Sequence, residues 1–199
     1  MPGSEPLGTI AARVARGLEQ KSADGGAIVP FPSDFVLDDM LSLMEHRWAA
    51  AKLAELMNSG WVMTHYVYRS NERLPIFIVL RFDKSGHKKK FLPLRVGRLC
   101  GVLPKLVLNH LEGPRPLYNL PLLVKQPMAP VLIVEGEKAA DAAQALLPNL
   151  VCTTWIGGAQ SVGLAELLPL YDRSVTIWPD NDPDGIVAAD KLARRLAGG

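Results

Sequence analysis

Three aspartates stand at alternate positions in the stretch SVTIWPDNDPDG, residues 174–185: Asp180, Asp182 and Asp184. An apolar run, Val175 to Trp178, leads straight into them, and a helix-like IVAADKLARRL follows. Like charges this close repel unless water or a cation screens them. A hard divalent cation resolves the repulsion: Mg²⁺ typically takes one or two carboxylates and completes its shell with waters and substrate phosphates. Asp180 and Asp182, two residues apart, share one side of an extended segment, and Asp184 reaches the same ion through a water. The plainer reading is a surface turn in which Asp182 or Asp184 caps the helix. D-x-D-x-D-G also opens a calcium-binding EF-hand loop. Here the twelfth position from Asp180 is Lys191 instead of glutamate, and a strand precedes the loop where a helix belongs, so that reading is excluded.

Glu135 is the second candidate. It follows the apolar run VLIV and precedes Gly136. A partly buried carboxylate beside a metal can act as a general base or hold a second ion. Favouring the N-terminus of the next helix is the alternative, and Glu137 suits that role better than Glu135 does. Gly157 and Gly158 close the run VCTTWIGG. They leave a phosphate unobstructed, or they simply make a tight turn. GxxxxGK[ST], G-x-S-x-G and HExxH do not occur, so a P-loop motor, a serine hydrolase and a zincin have no support.

The elements that position these residues alternate along the last third of the chain. VLIVEGE reads as a strand, AADAAQALL as a helix, VCTTWIGG as a strand, AELLPLY as a short helix, SVTIWPD as a buried strand and IVAADKLARRL as a helix. Such alternation predicts a parallel sheet covered by helices. Reactive groups of such sheets collect at the carboxyl ends of the strands. Glu135, Gly157, Gly158 and the three aspartates all fall at those ends, so residues over 40 apart in sequence are expected at one edge.

Upstream, WVMTHYVY, PIFIVLRF and KKKFLPLRV are β-rich runs parted by turn-like RSNE and DKSG, which predicts a small antiparallel sheet. Lys88 and Lys90 are expected on one face of its third strand, with Lys89 on the other. Residues 97–128 carry five prolines and read as irregular. Ser33 or Asp34 caps an expected helix that runs to Asn58 and stops at Gly60. Its stripe of Leu37, Leu41, Met44, Trp48, Leu53 and Leu56 reads most simply as core packing. Residues 1–32 form a lead-in with one weak helical patch, Ile10–Leu18. The expected divisions are therefore 1–60, 61–128 and 129–199.

At 199 residues the chain can hold one large domain or two small ones. Its two cysteines, Cys100 and Cys152, exclude a zinc ribbon and argue against a disulfide framework, so a reducing cytoplasm is the default expectation. The N-terminus lacks a signal-peptide pattern, and no apolar run is long enough to span a membrane. The formal net charge of +2 hides an asymmetry: residues 61–126 hold 12 Lys/Arg against 3 Asp/Glu, and residues 127–199 hold 5 against 9. A basic middle before an acidic end points to a polyanion partner and a cation site, against the plainer reading of a solvated basic face.

Taken together, these residues resemble the Toprim fold of primases, topoisomerases and several nucleases. Its pattern is a glutamate after the first strand and a D-x-D pair after a later one. Those match Glu135 in VLIVEGEKAADA and Asp180/Asp182 in WPDNDPDG, with Asp184 as the third acid. The order HYVYRSNERLPIFIVLRF, KKKFLPLR, PLYNLPLL, PVLIVEGEKAADA is most similar to primases of phages, plasmids and mobile elements, relatives of the DnaG-type primase. The resemblance covers residues 60–199. It implies an α/β protein: a Toprim-like parallel sheet with flanking helices, preceded by a small basic β-rich subdomain and an N-terminal helix. It further implies a DNA primase performing nucleotidyl transfer with Mg²⁺ or Mn²⁺. Glu135, Asp180 and Asp182 would be catalytic, and these three with Asp184 would hold metal. Arg81, Lys88, Lys90, Arg95, Gly157 and Gly158 would bind nucleotide and template. Single-stranded DNA, nucleoside triphosphates and a replicative helicase would be the partners. Phe91, Tyr66 and Tyr68 are candidate base-stacking residues, with the core as the competing role. A Toprim nuclease and a non-catalytic nucleic-acid-binding module are the alternatives. The sequence ends at LARRLAGG, before the further strand Toprim units usually add, so a piece of a longer primase or primase–helicase is expected. The template-reading zinc domain of many primases has no counterpart here.

Overall fold

The computed structural model describes residues 28–31, 37–100, 103–111 and 113–198. The patch Ile10–Leu18 and the cap at Ser33 or Asp34 lie outside them. The helix expected up to Asn58 is broken. A 3₁₀ turn, Leu37–Asp39, runs into α1 (Met40–Leu43), and α2 (Arg47–Asn58) follows. Met44 between them is extended, with ψ 131°, and forms a parallel bridge with Leu106, while the Glu45 N–H donates to the Leu106 carbonyl at 2.8 Å. That non-local pairing displaces the local helical bonds at Met44–His46. Gly60, at φ 75°, turns the chain away after α2 as its position predicts.

Four strands, β1 (Val62–Arg69), β2 (Pro75–Asp83), β3 (Lys90–Cys100) and β4 (Leu103–Val107), lie in the order β1-β2-β3-β4, with β2–β3 and β3–β4 antiparallel. Leu80, Phe82, Leu92, Leu94, Val96 and Leu106 pack with Met40, Leu43, Leu53 and Leu56 into one core. Strand β4 falls within the segment expected to be irregular. Its Pro104 has no N–H to donate, but β4 is an edge strand, where proline is tolerated. Lys88 precedes β3, so it does not share a strand face with Lys90.

A second, parallel sheet is formed by β5 (Val131–Val134), β6 (Val151–Thr153) and β7 (Val175–Trp178) in the order β6-β5-β7. Helices α3 (Leu120–Lys125), α4 (Glu137–Leu146) and α5 (Pro183–Ala197) belong to this half. The molecule is thus mixed α/β, an antiparallel sheet followed by a three-stranded parallel one. The core of the parallel-sheet half holds Leu117, Leu123, Val131, Ile133, Val151, Trp155, Ala188 and Leu192. Three expectations are corrected here. Strand β6 ends at Thr153, and the Thr154 carbonyl beyond it accepts from the Tyr118 N–H instead of from the sheet. The short helix expected over AELLPLY is replaced by two 3₁₀ segments, Ala159–Leu164 and Leu168–Leu170. Strand β7 is half-buried and alternating instead of buried: Val175 and Ile177 pack on the core, while Thr176 and Trp178 face outward and Trp178 is 65% exposed.

Compactness divides the described residues into two units: those up to Val67 with those of 74–111, and Tyr68–Arg73 with those beyond 112. No described helix is long and apolar enough to cross a membrane.

Candidate functional site

Glu135 follows β5, the central strand of the parallel sheet, whose neighbours lie on opposite sides. Ligands of open α/β sheets bind outside the carboxyl ends of the strands at such a reversal. Gly136 turns there at φ 84°, a value that favours glycine, and its N–H donates to Thr154 Oγ1 at 3.0 Å. Glu135 Oε1 is buried and has no hydrogen-bond partner among the described residues. Burial pushes the Glu135 carboxyl above its ordinary range. The carboxylates of Asp180, Asp182 and Asp184 push it the same way, and the Asp180 backbone amide offsets part of the rise.

The aspartate loop packs against Glu135 through Gly185. A Cβ there would stand 2.7 Å from Glu135 Oε1 and 2.6 Å from the Asp180 carbonyl oxygen. The loop is not extended between its first two acids: the Asp182 N–H donates to the Asp180 carbonyl at 2.9 Å. Asp182 Oδ1 then accepts from the Gly185 N–H at 2.8 Å, capping α5. The capping reading thus holds for Asp182. Asp180, Asp182 and Asp184 are exposed. Among the described residues, no three His, Cys, Asp or Glu side chains stand close enough to hold a metal ion. What the structure brings together is Glu135 and the Asp180 backbone. The orphaned Oε1 and an all-oxygen donor set fit a Mg²⁺-type ion held by one or two carboxylates, with water and substrate oxygens.

Gly157 and Gly158 adopt φ 92° and 69°. A Cβ at Gly157 would stand 2.7 Å from Ser161 Oγ and 3.1 Å from Arg115 Nη1. Trp155 Nε1 donates to the Gly158 carbonyl at 2.8 Å and fixes the turn. Arg115, which sequence reasoning missed, therefore sets a guanidinium beside this glycine turn. Its backbone is held there by Leu164 and Glu166, and burial lowers its pKa. The available signal was an arginine between two prolines in GPRPLYNLP, a segment that lies against β6. The Tyr118 N–H donates to the Thr154 carbonyl, Asn119 Nδ2 to Cys152, and Thr153 Oγ1 to Tyr118.

The expected nucleotide and template residues are dispersed. Arg81 is paired with Asp83 through two nitrogens, at 2.7 and 2.9 Å. Lys88 and Lys90 are exposed, and Lys90 Nζ stands 4.4 Å from the Trp61 ring centroid. Arg95 donates to the His110 and Val96 carbonyls. Tyr66 and Tyr68 are buried, whereas Phe91 is 51% exposed beneath the Arg81 guanidinium. Tyr68 packs edge-on against Tyr118 and donates to the buried Glu137 at 2.8 Å. Burial first and Glu137 second drive its phenol pKa well up. Glu137 is thus a packing group and not an edge ligand. Comparison of the chain with protein-family models, with curated proteins and with solved structures finds no match.

Proposed function

We propose that the chain is the catalytic core of a Toprim-type DNA primase, which joins nucleoside triphosphates into short primers on single-stranded DNA. The observation that carries this reading is Glu135 Oε1: a buried carboxylate oxygen without a partner, at the carboxyl end of the central strand, beside a loop of three aspartates. An unsatisfied buried acceptor costs about 1–3 kcal/mol. Such a group is retained where an ion, a ligand or an ordered water completes it.

Glu135 and Asp180 would hold Mg²⁺ or Mn²⁺, with Asp182 and Asp184 adding negative potential. When bound, the ion supplies positive charge to the attacking and leaving oxygens of the transfer. Glu135, at the carboxyl end of the central strand, is placed to take the proton of the attacking hydroxyl. Arg115, beside the Cβ-free turn at Gly157, binds a phosphate of the incoming nucleotide. Lys88 and Lys90 attract the template backbone.

The test is incubation with single-stranded DNA, labelled nucleotides and Mg²⁺ or Mn²⁺, followed by a sizing gel. New short products support the primase reading. A shortened template would replace it with a nuclease using the same acids. An unchanged template without products would leave a binding module.

A further inference from the structure

Trp48 breaks the pattern of α2. The other large apolar residues of its stripe are covered, but Trp48 is 60% exposed. His46 stacks on it, with ring centroids 6.2 Å apart and planes 14° apart. The pair borders a cavity of about 390 Å³, lined also by Arg95, Gly97, Arg98 and Asn109. That volume lies in the range of sites for single small ligands, about 300–1,000 Å³.

A β-bulge builds the opposite wall. Val96 pairs with Leu106, but the next pair is Arg98 with Lys105, so Gly97 is an extra residue in β3. Side chains alternate along a strand, so a regular β3 would put Arg98 on the buried face with Val96. The inserted residue moves Arg98 to the face of Arg95. Glycine fits there without displacing its neighbour: a Cβ would stand 2.7 Å from Val107 Cγ1, and that valine would have to move. Bulges recur where a side chain must be re-aimed. The result sets Arg98 directly across from Lys105, a like-charge pair that destabilises a sheet. Glu45 meets Arg98 Nε at 3.0 Å, yet the Arg98 side chain stays 66% exposed. This face thus carries Arg95, Arg98 and Lys105 against one acid, Glu45.

A flat exposed aromatic beside a row of cations is the chemistry of single-stranded nucleic acid: bases stack, and phosphates meet charge. We propose that this face is a single-strand subsite, with a base on the Trp48 indole and backbone phosphates on Arg98 and Lys105. The proposal rests on the nucleic-acid reading above but not on the carboxylates. Its test therefore reads binding in EDTA, where a failure of synthesis leaves it standing.

The probes are a short fluorescein-labelled oligothymidylate and an abasic strand of equal length, read by anisotropy on the full chain. Wild type should prefer the oligothymidylate. Trp48→Ala should weaken that probe on the order of tenfold and leave the abasic strand unchanged. Trp48→Phe should retain most of the preference, and Arg98→Gln should weaken both probes. Three results would overturn the proposal: unchanged oligothymidylate affinity in Trp48→Ala, equal losses on both probes, or displacement by a polyglutamate peptide as effective as by unlabelled oligothymidylate.

Discussion

Glu135 and Asp182 differ in what their charge does. Glu135 is held above its ordinary carboxyl range by burial and by three neighbouring aspartates. The fold therefore binds its proton more tightly than the unfolded chain does. Its contribution to stability is full below the unfolded carboxyl value, about 4.3, and is lost as pH rises through the folded one. Glu135→Gln removes that loss. The variant should be more stable than wild type at neutral pH without metal, with a flatter pH dependence, while synthesis falls on the order of 10²-fold or more. Chemical denaturation across pH checks the first part, and an unchanged slope would contradict it. Asp182 instead caps α5. Asp182→Asn keeps a good cap, whereas Asp182→Ala should cost about 1 kcal/mol; equal stability of the two variants in thermal melts would remove the cap from the account. The acids themselves were legible in the sequence from type and spacing. A cap at Asp182 or Asp184 was legible too, but that Asp182 is the one and that its neighbour is not extended were not, because both follow from the Asp182–Asp180 and Gly185–Asp182 bonds made only in the folded loop.

Helix α5 meets the carboxylate edge through Gly185, which makes that contact testable at the level of elements. Alanine is favoured over glycine within a helix by about 1 kcal/mol. At Gly185 the added methyl would meet a backbone carbonyl at 2.6 Å as well as Glu135 Oε1. A backbone carbonyl does not yield as a flexible side chain does, and overpacking costs about 1–3 kcal/mol, so the clash wins. Gly185→Ala should lower stability in denaturant and reduce synthesis; a stabilised variant would show that α5 has room to move away. Strands β5 and β7 and helices α4 and α5 were legible because periodicity switches cleanly between them. Strand β4 was hidden by Pro104, whose missing donor matters only in an inner strand. The break at Met44 was hidden because its cause, Leu106, lies in another element. Trp48 fits a helical stripe by spacing alone, and only folding shows it uncovered.

Charge is distributed unevenly over the whole molecule, and that asymmetry was readable from the sequence, while its division among sites was not. Arg81 and Arg95 are engaged by Asp83 and by backbone carbonyls, which leaves Lys88 and Lys90 as the more exposed cations of the expected set. Changing both lysines to alanine should flatten the slope of log affinity for single strands against log salt by roughly one to two units. The fold should lose no more than about 1 kcal/mol, the scale of the Lys90–Trp61 contact. Binding isotherms at several salt concentrations check this, and an unchanged slope would mark the lysines as a solvated face. The central claim is that the carboxylate edge is a cation site for a triphosphate. Electron paramagnetic resonance of Mn²⁺ titrated into the chain with a nucleoside triphosphate tests it most directly. The account predicts bound Mn²⁺ in wild type, with weaker binding in both Glu135→Gln and Asp180→Asn. Equal binding by all three proteins would contradict it.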